Sequence, residues 1–556
     1  MRRFLASSIG VTCAAALALP LAPSGAAAAA AVPGGTAPAV TRAAVTNGAG
    51  TPGGTQSLPL QPLDPDRASG AATFGLAPRS VRPFSLVGVI WDDPAAELHG
   101  QVQVRARAAD TGVWSGWQDV ETHNADHAAD PETAERTSGR ARGATAPLWV
   151  GASDGVEIRV RAESRSGSEA EPKAGSESTP LLPPGMRLEL VDPGEDPPPQ
   201  DTPSEDTPSE DTPSEDAPSG DTPSEDAPSG DIPSEDAPSE DAPSGDAPSG
   251  DTPSEGAESP DRNPGEGVGE NTGQPSGQNP ADGSAVIPAD APRTGVMSAE
   301  ATAASAANAP LAPLGATEIP ALNRAETEEE YHVLRGTEAA GQEGNAGGQA
   351  PRAEPYIGPR PGIVTRSGWG ADESLREQGF VYTDKVSAAF VHHSASGNNY
   401  TCAEAPSVIR SIYRYHTESM GWRDIGYNFL VDKCGKIYEG RAGGVANPVL
   451  GAHTLGFNSN SMGVAVLGTF SSTSPPAAAV TGVAQLTAWK LGLHGMDPSA
   501  KTYLTSGGGN LYAKGTQVRL NVISGHRDGF NTECPGGKLY DKLGTVRSAA
   551  AGYQGR

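Results

Sequence analysis

The sequence predicts an α/β C-terminal domain, a small N-terminal β-rich domain and long linkers that do not pack. Three observations lead there. Apolar β-type runs in the last third end in histidine or stand close before cysteine. Short runs of β-type residues separated by turn signals occupy residues 81–192. Between these regions lies sequence too rich in proline and acid to build a core. With 70 Gly, 51 Pro and only 36% hydrophobic residues among 556, just part of the chain is expected to fold.

Met1-Arg2-Arg3, an apolar run from Phe4 to Leu21 and an Ala-rich stretch after it read as a secretory signal peptide over residues 1–31. Pro20, Pro23 and the small-residue content favour cleavage over a retained anchor, and no other stretch is apolar for long enough to span a bilayer. The arginine pair lacks the intervening residue usual in twin-arginine signals, so the general secretory route is expected. Cys13 lies within the signal behind Gly10-Val11-Thr12, a poor lipoprotein box, which leaves three cysteines in an oxidising compartment. Two should pair, and the third needs another task such as metal ligation.

Residues 32–80 read as a linker. Within 81–192, Ser85–Trp91, Val102–Ala106 and Val156–Arg161 are β-type, the last two with alternating polarity, as in a small sandwich. Trp114 and Trp117 could form a sugar platform, but tryptophans beside alternating strands more often pack. Residues 193–355 read as disordered. At their heart, residues 201–255 are eleven pentads carrying 11 Asp and 7 Glu and no cation, with a proline every fifth residue. An extended, solvated spacer follows, with at most one short helix near Ala325–Arg335 further on. The overall charge of −28 resides largely in that spacer: residues 360–556 hold 19 Lys and Arg against 13 Asp and Glu. A modestly basic folded end suits an anionic wall polymer.

The chemistry gathers in residues 356–556. Val386-Ser-Ala-Ala-Phe-Val391 is a strand that delivers His392 and His393 to opposite faces. A second strand, Leu520–Ile523, stops just before His526, and Cys534 follows eight positions later, close enough for a loop to bring the two together. Thiolate and neutral imidazole are good Zn²⁺ ligands, and a catalytic site needs three of them with the fourth position left to water. His392, His526 and Cys534 supply three. Cys402 opens a helix from about Pro406 to Met420 with Val408, Ile409, Ile412 and His416 on one side, and Cys434 sits in the turn of a hairpin. These two cysteines are paired as a disulfide, because adding them to the metal would close the site to catalysis.

Trp422–Arg441, Gly451-Ala-His453-Thr with Phe457-Asn458-Ser459, and His526–Gly536 together resemble the peptidoglycan-recognition-protein branch of type-2 N-acetylmuramoyl-L-alanine amidases over roughly residues 360–550. The resemblance implies a mixed central sheet flanked by helices, with zinc in a groove across one face. By position, His392, His526 and Cys534 match the zinc ligands and Tyr427 the catalytic tyrosine. His453 and Thr532 are candidates to orient substrate or move a proton, and Thr532 resembles threonine-bearing relatives rather than lysine-bearing ones. Trp422, Asn428, Arg441, His453 and Asn458 are expected along the substrate groove. The implied activity is hydrolysis of the amide between muramic acid and L-alanine by a secreted, wall-associated monomer. Its partner is peptidoglycan, with no nucleic acid and no membrane span once the signal is removed. The alternative is a module of the same fold that binds peptidoglycan without cleaving it.

Overall fold

Alternation along Gln101-Val-Gln-Val-Arg-Ala106 sends valines to one face and polar groups to the other, and this period of two builds an antiparallel sheet in the N-terminal region. The computed structural model describes residues 53–63, 73–122, 124–163, 182–196, 297–340 and 355–556. Its first sheet comprises β1 Gly54–Pro59, β2 Gln61–Leu63, β3 Thr73–Trp91, β4 Gly100–Ala108, β5 Gln118–Val120, β6 Gly143–Ala144, β7 Leu148–Ala162 and β8 Arg187–Asp192. The strand order is β1-β8-β3-β7-β4-β5, with β2 and β6 also paired to β3. Register shifts bend β3 against β7, and Val87, Val89, Val102, Val104, Ile158 and Leu188 form the buried side.

Two expectations change here. The sandwich is one continuously paired sheet, and it starts well before residue 81, since β1, β2 and the first part of β3 fall in the segment read as a linker. Trp114 and Trp117 are half-buried, with the Arg105 guanidinium 5.4 and 5.3 Å from their rings and Arg159 4.0 Å from Trp117, which is edge packing. Between β5 and β6 the chain leaves the sheet for a long loop that holds only the short helix α1 Ala134–Thr137, capped by the Thr133 hydroxyl accepting from the Arg136 amide at 3.4 Å.

The C-terminal region contains β9 Glu318–Ile319, β10 Ile363–Val364, β11 Ala388–His393, β12 Phe429–Val431, β13 Ile437–Glu439 and β14 Ser461–Val466. There follow a separate hairpin of β15 Lys501–Thr505 with β16 Gln517–Asn521, and then β17 Ile523–Gly525. The main sheet is mixed, ordered β17-β11-β14-β12-β13-β10-β9, with β17, β11, β14 and β12 parallel and the β12–β13 hairpin antiparallel. Its helices are α2 Ala299–Ala306, α3 Arg324–Ala340, α4 Ala405–Arg414, α5 Ala477–Leu493, α6 Gly537–Tyr540 and α7 Leu543–Tyr553.

Successive side chains of β14 point to opposite faces, and the two faces are covered differently. Val464 and Val466 pack with Val483, Leu486 and Trp489 of α5 and Val546 of α7. Ala465 and Leu467 pack with Val408, Ile409 and Ile412 of α4. That helix begins behind a reciprocal cap, in which the Thr401 hydroxyl accepts from the Glu404 amide and the Glu404 carboxylate from the Thr401 amide, and it runs on through a wide turn at Tyr415–Ser419.

The segment read as a linker over 193–355 is also corrected, for it contributes α2, α3 and the edge strand β9, where at most one short helix was expected. Leu311, Ala312 and Ile319 are buried in the same core as Trp489. Residues 1–31 and the pentads 201–255 lie outside the described residues. Met1–Pro198 and Glu300–Arg556 fall in one unit, which holds all three sheets, and Pro199–Ala299 in another. Among the described residues no helix is long and apolar enough to cross a membrane.

Candidate metal centre

β11 and β17 are adjacent and parallel, so the residues at their C-terminal ends emerge side by side. This places His392 beside His526, with Nδ1 facing Nδ1 at 3.1 Å. The loop after His526 returns through Cys534, whose carbonyl accepts from the Arg527 amide, and its Sγ comes to 3.7 Å from His392 Nδ1. A fourth donor arrives from the N-terminal sheet: His127 Nε2, in the loop between β5 and β6, lies 3.6 Å from Cys534 Sγ. Ligand atoms of all four residues lie within 4.8 Å of one another, and all four residues are buried.

These spacings fit zinc. Bonds of about 2.0–2.1 Å to nitrogen and about 2.3 Å to sulfur give tetrahedral edges of roughly 3.3 Å between nitrogens and roughly 3.6 Å between nitrogen and sulfur. The donor chemistry fits as well. Burial keeps two of the imidazoles neutral, driving His392 well below the usual histidine range and His526 down to about 3. Burial also pushes the Cys534 thiol up, an opposition that a cation bound at Sγ would remove by favouring thiolate.

Surrounding groups fix the rings. His392 Nε2, turned away from the cluster, lies 3.3 Å from His453 Nδ1 and 3.4 Å from the Thr454 hydroxyl. His453 is completely buried and lies 3.4 Å from Ser461 Oγ on its other side, a place suited to orienting His392 rather than touching substrate. His127 Nδ1 lies 3.2 Å from Asp126 Oδ1, and Asp126 Oδ2 lies 3.7 Å from His526 Nδ1. Burial opposes the Asp126 charge, but His127, His526 and the Thr532 hydroxyl together hold this carboxyl below its usual range. His393 points the other way, as the strand period requires, and its Nδ1 accepts from the Phe470 amide at 3.3 Å.

Of the remaining expected residues, Tyr427 stands beside the cluster, its ring 5.6 Å from that of His392 and 5.8 Å from that of His127. Burial, reinforced by Cys534 and Asp126, holds its phenol well above the ordinary tyrosine range, so it stays protonated. The Thr532 hydroxyl accepts from the Cys534 amide at 3.1 Å. Trp422 is buried with its ring 4.5 Å from that of His416.

Asn428 differs from expectation. Its amide donates to the Val449 carbonyl and accepts from the Gly463 amide, both at 2.8 Å, so it braces the sheet and is not available to a ligand. Arg441 and Asn458, expected along the groove, are both buried and both engaged by the β5–β6 loop. Arg441 makes a two-pronged pair with Glu135 at 2.9 Å for each bond. The Asn458 side-chain amide donates to the Ala128 carbonyl at 2.8 Å and to Asp130 at 2.7 Å. Cys402 and Cys434 form a disulfide with Cα atoms 6.2 Å apart, leaving Cys534 as the free cysteine among the described residues. Reading the sequence missed Asp126 and His127, whose signal is only an Asp-His pair in an otherwise Ala-rich loop.

Both folded regions are similar to known proteins. The family described as N-acetylmuramoyl-L-alanine amidase matches residues 382–537, and one described as Rv3811 N-terminal galactose-binding domain-like matches residues 38–181. Peptidoglycan-recognition protein SC2 of Drosophila simulans is 31% identical over 183 residues, which are 33% of this chain and 85% of that protein. A human N-acetylmuramoyl-L-alanine amidase is 33% identical over 192 residues, 33% of this chain and 28% of that one. The solved structure of wild-type Drosophila PGRP-LB aligns with 33% of this chain and 92% of its own at 26% identity, with a TM-score of 0.26. By its ordered motifs, its mixed sheet and these relatives, the chain belongs to the family of peptidoglycan-recognition proteins and N-acetylmuramoyl-L-alanine amidases.

Proposed function

We propose that the chain is a secreted, zinc-dependent N-acetylmuramoyl-L-alanine amidase, which hydrolyses the amide between the lactyl group of muramic acid and L-alanine of peptidoglycan. The observation that carries this reading is Cys534. It is a buried free thiol at ligand spacing from an imidazole that also faces His526, while the other two cysteines of this domain are tied to each other. Zn²⁺ held by His392, His526 and Cys534 would polarise the scissile carbonyl and lower the pKa of a bound water to roughly 7.

The chain's own residues have distinct tasks. His453 and Thr454 hold the His392 ring so that Nδ1 faces the cluster. Tyr427, kept as a phenol by burial, is a hydrogen-bond donor for the oxygen that gains charge as the amide carbonyl is attacked. Thr532, anchored on the Cys534 amide, places a hydroxyl at the edge of the cluster for proton movement or substrate orientation. The apolar run from Phe4 to Leu21, read as a secretory signal, supports export to the wall.

The test is digestion of a purified muropeptide of defined stem by the zinc-loaded full chain, reading new free amino groups on L-alanine. The amidase releases them, and His392→Ala abolishes the release. Retention of the muropeptide without release, by the full chain and by its His127→Ala variant alike, would instead identify a binding module.

A further inference from the structure

We propose that the β5–β6 loop of the N-terminal domain is a built-in occupant of the groove, with His127 as a fourth, displaceable zinc ligand that holds the full-length chain latent. This rests on the zinc-amidase reading for what is being restrained, but the contacts stand apart from it. A catalytic zinc keeps one position open, whereas four protein donors close it. Here the fourth donor comes from a different domain, more than 260 positions before its nearest partner in sequence, His392.

Several independent features make the loop a fitted occupant. His127 presents Nε2 to Cys534 at 3.6 Å, while its other ring nitrogen lies 3.2 Å from Asp126 Oδ1 on the side away from the sulfur. Asp126 and His127 are 3% and 6% exposed, so solvent does not compete for the cluster from that side. Further along, Asp130 accepts from the Gly456 amide and from Asn458, both at 2.7 Å, and the Asp126 carbonyl accepts from the Leu455 amide at 3.0 Å. Glu135 then fills the fork of Arg441. Three acidic side chains, Asp126, Asp130 and Glu135, thus sit against His526, Asn458 and Arg441, residues with which an acidic substrate would have to compete.

The loop has no other evident task. It is long and carries one short helix, whereas loops of this length in compact domains are usually functional. A cleft of about 290 Å³, lined by Asn124 and Asp126 on one side and Phe530 and Thr532 on the other, opens beside the cluster. It gives an incoming ligand a place to begin displacing the loop. Because both partners share one chain, an intramolecular ligand of modest intrinsic strength suffices to keep the site shut.

The experiment uses the full chain as wild type, His127→Ala, and a second variant, Asp130→Asn with Glu135→Gln, which loosens the loop while keeping His127. Each is loaded with zinc or with cobalt(II), whose visible bands are intense in four-coordinate sites. Three readouts are taken: the cobalt spectrum, the rate of zinc transfer to a chelator, and cleavage of a defined muropeptide. In both variants the expected results are faster zinc release, by about 10- to 100-fold for His127→Ala, and weaker or shifted cobalt bands. Cleavage should exceed that of wild type. Identical spectra and release rates in all three proteins would overturn the proposal, as would cleavage falling in His127→Ala, which would make His127 a permanent ligand. If the metal readouts change as expected but no protein cleaves, the occupant stands and the hydrolase reading falls.

Discussion

Replacing Glu135 with alanine should release the β5–β6 loop, and the size of the effect follows from the burial of its partner. The Glu135 and Arg441 side chains are 7% and 4% exposed and joined by two bonds of 2.9 Å. Burial opposes the Arg441 charge, and Glu135 more than compensates, raising the guanidinium above its usual range. Truncating one member of such a pair leaves a buried charge and costs about 3–5 kcal/mol. Arg441 would keep its 2.8 Å bond to the Ile425 carbonyl and the field of Asp424, so the lower end, about 3 kcal/mol, applies. At about 1.4 kcal/mol per factor of ten, this shifts the balance between docked and released loop by roughly 100-fold. Hydrogen exchange of peptides from residues 124–142 in the intact chain reads it directly: protection should fall by that factor while β11 and β14 are unaffected. A double-mutant cycle with Arg441→Ala should recover most of the loss as coupling between the two. A change in protection of less than about threefold, below roughly 0.7 kcal/mol, would refute the argument.

Other outcomes follow from the same structure. Tyr427→Phe should lower kcat by about 10²- to 10³-fold with little change in KM and unchanged zinc content, as expected for a donor needed mainly in the transition state. Replacing both Cys402 and Cys434 with alanine should lower the unfolding free energy in urea by about 4 kcal/mol, the chain-entropy value for cysteines 32 positions apart. The Glu439 carboxyl is pushed up to about 7 by burial against the pull of Asn308 and Arg366. A raised carboxyl contributes stability that is present below its unfolded value and lost as pH rises through about 7, on the order of 3 kcal/mol in all. Glu439→Gln should therefore flatten the pH dependence of urea unfolding between about 4.5 and 7, and an unchanged slope would show that Glu439 does not titrate there.

Three members of the buried cluster were legible because each is marked locally. His392 and His526 close apolar strands, and Cys534 is the cysteine left over once Cys402 and Cys434 are paired, so strand geometry and cysteine arithmetic meet on one point. The helix at α4 and the β12–β13 hairpin could be read for the same reason, their periods being written in neighbouring residues. What could not be read depends on distant partners. Leu311 and Ile319 sit among alanines and prolines with no periodicity, and only the completed sheet shows β9 to be its edge. Asn428 belongs to a groove motif, yet its amide is consumed by the Val449 and Gly463 backbone. His127 and Asp126 acquire their meaning only when two domains close on each other, and no local pattern encodes that contact.

The most direct test of the account is a time course of free L-alanine amino groups released from a defined muropeptide by the zinc-loaded chain carrying His127→Ala, compared with the same chain also carrying Cys534→Ser. The first should release stem peptide steadily, and the second should lose at least about 10³-fold of that rate while its β11–β17 sheet stays folded. Equal rates in the two proteins, or no release from either while the muropeptide is still bound, would contradict a zinc amidase built on His392, His526 and Cys534.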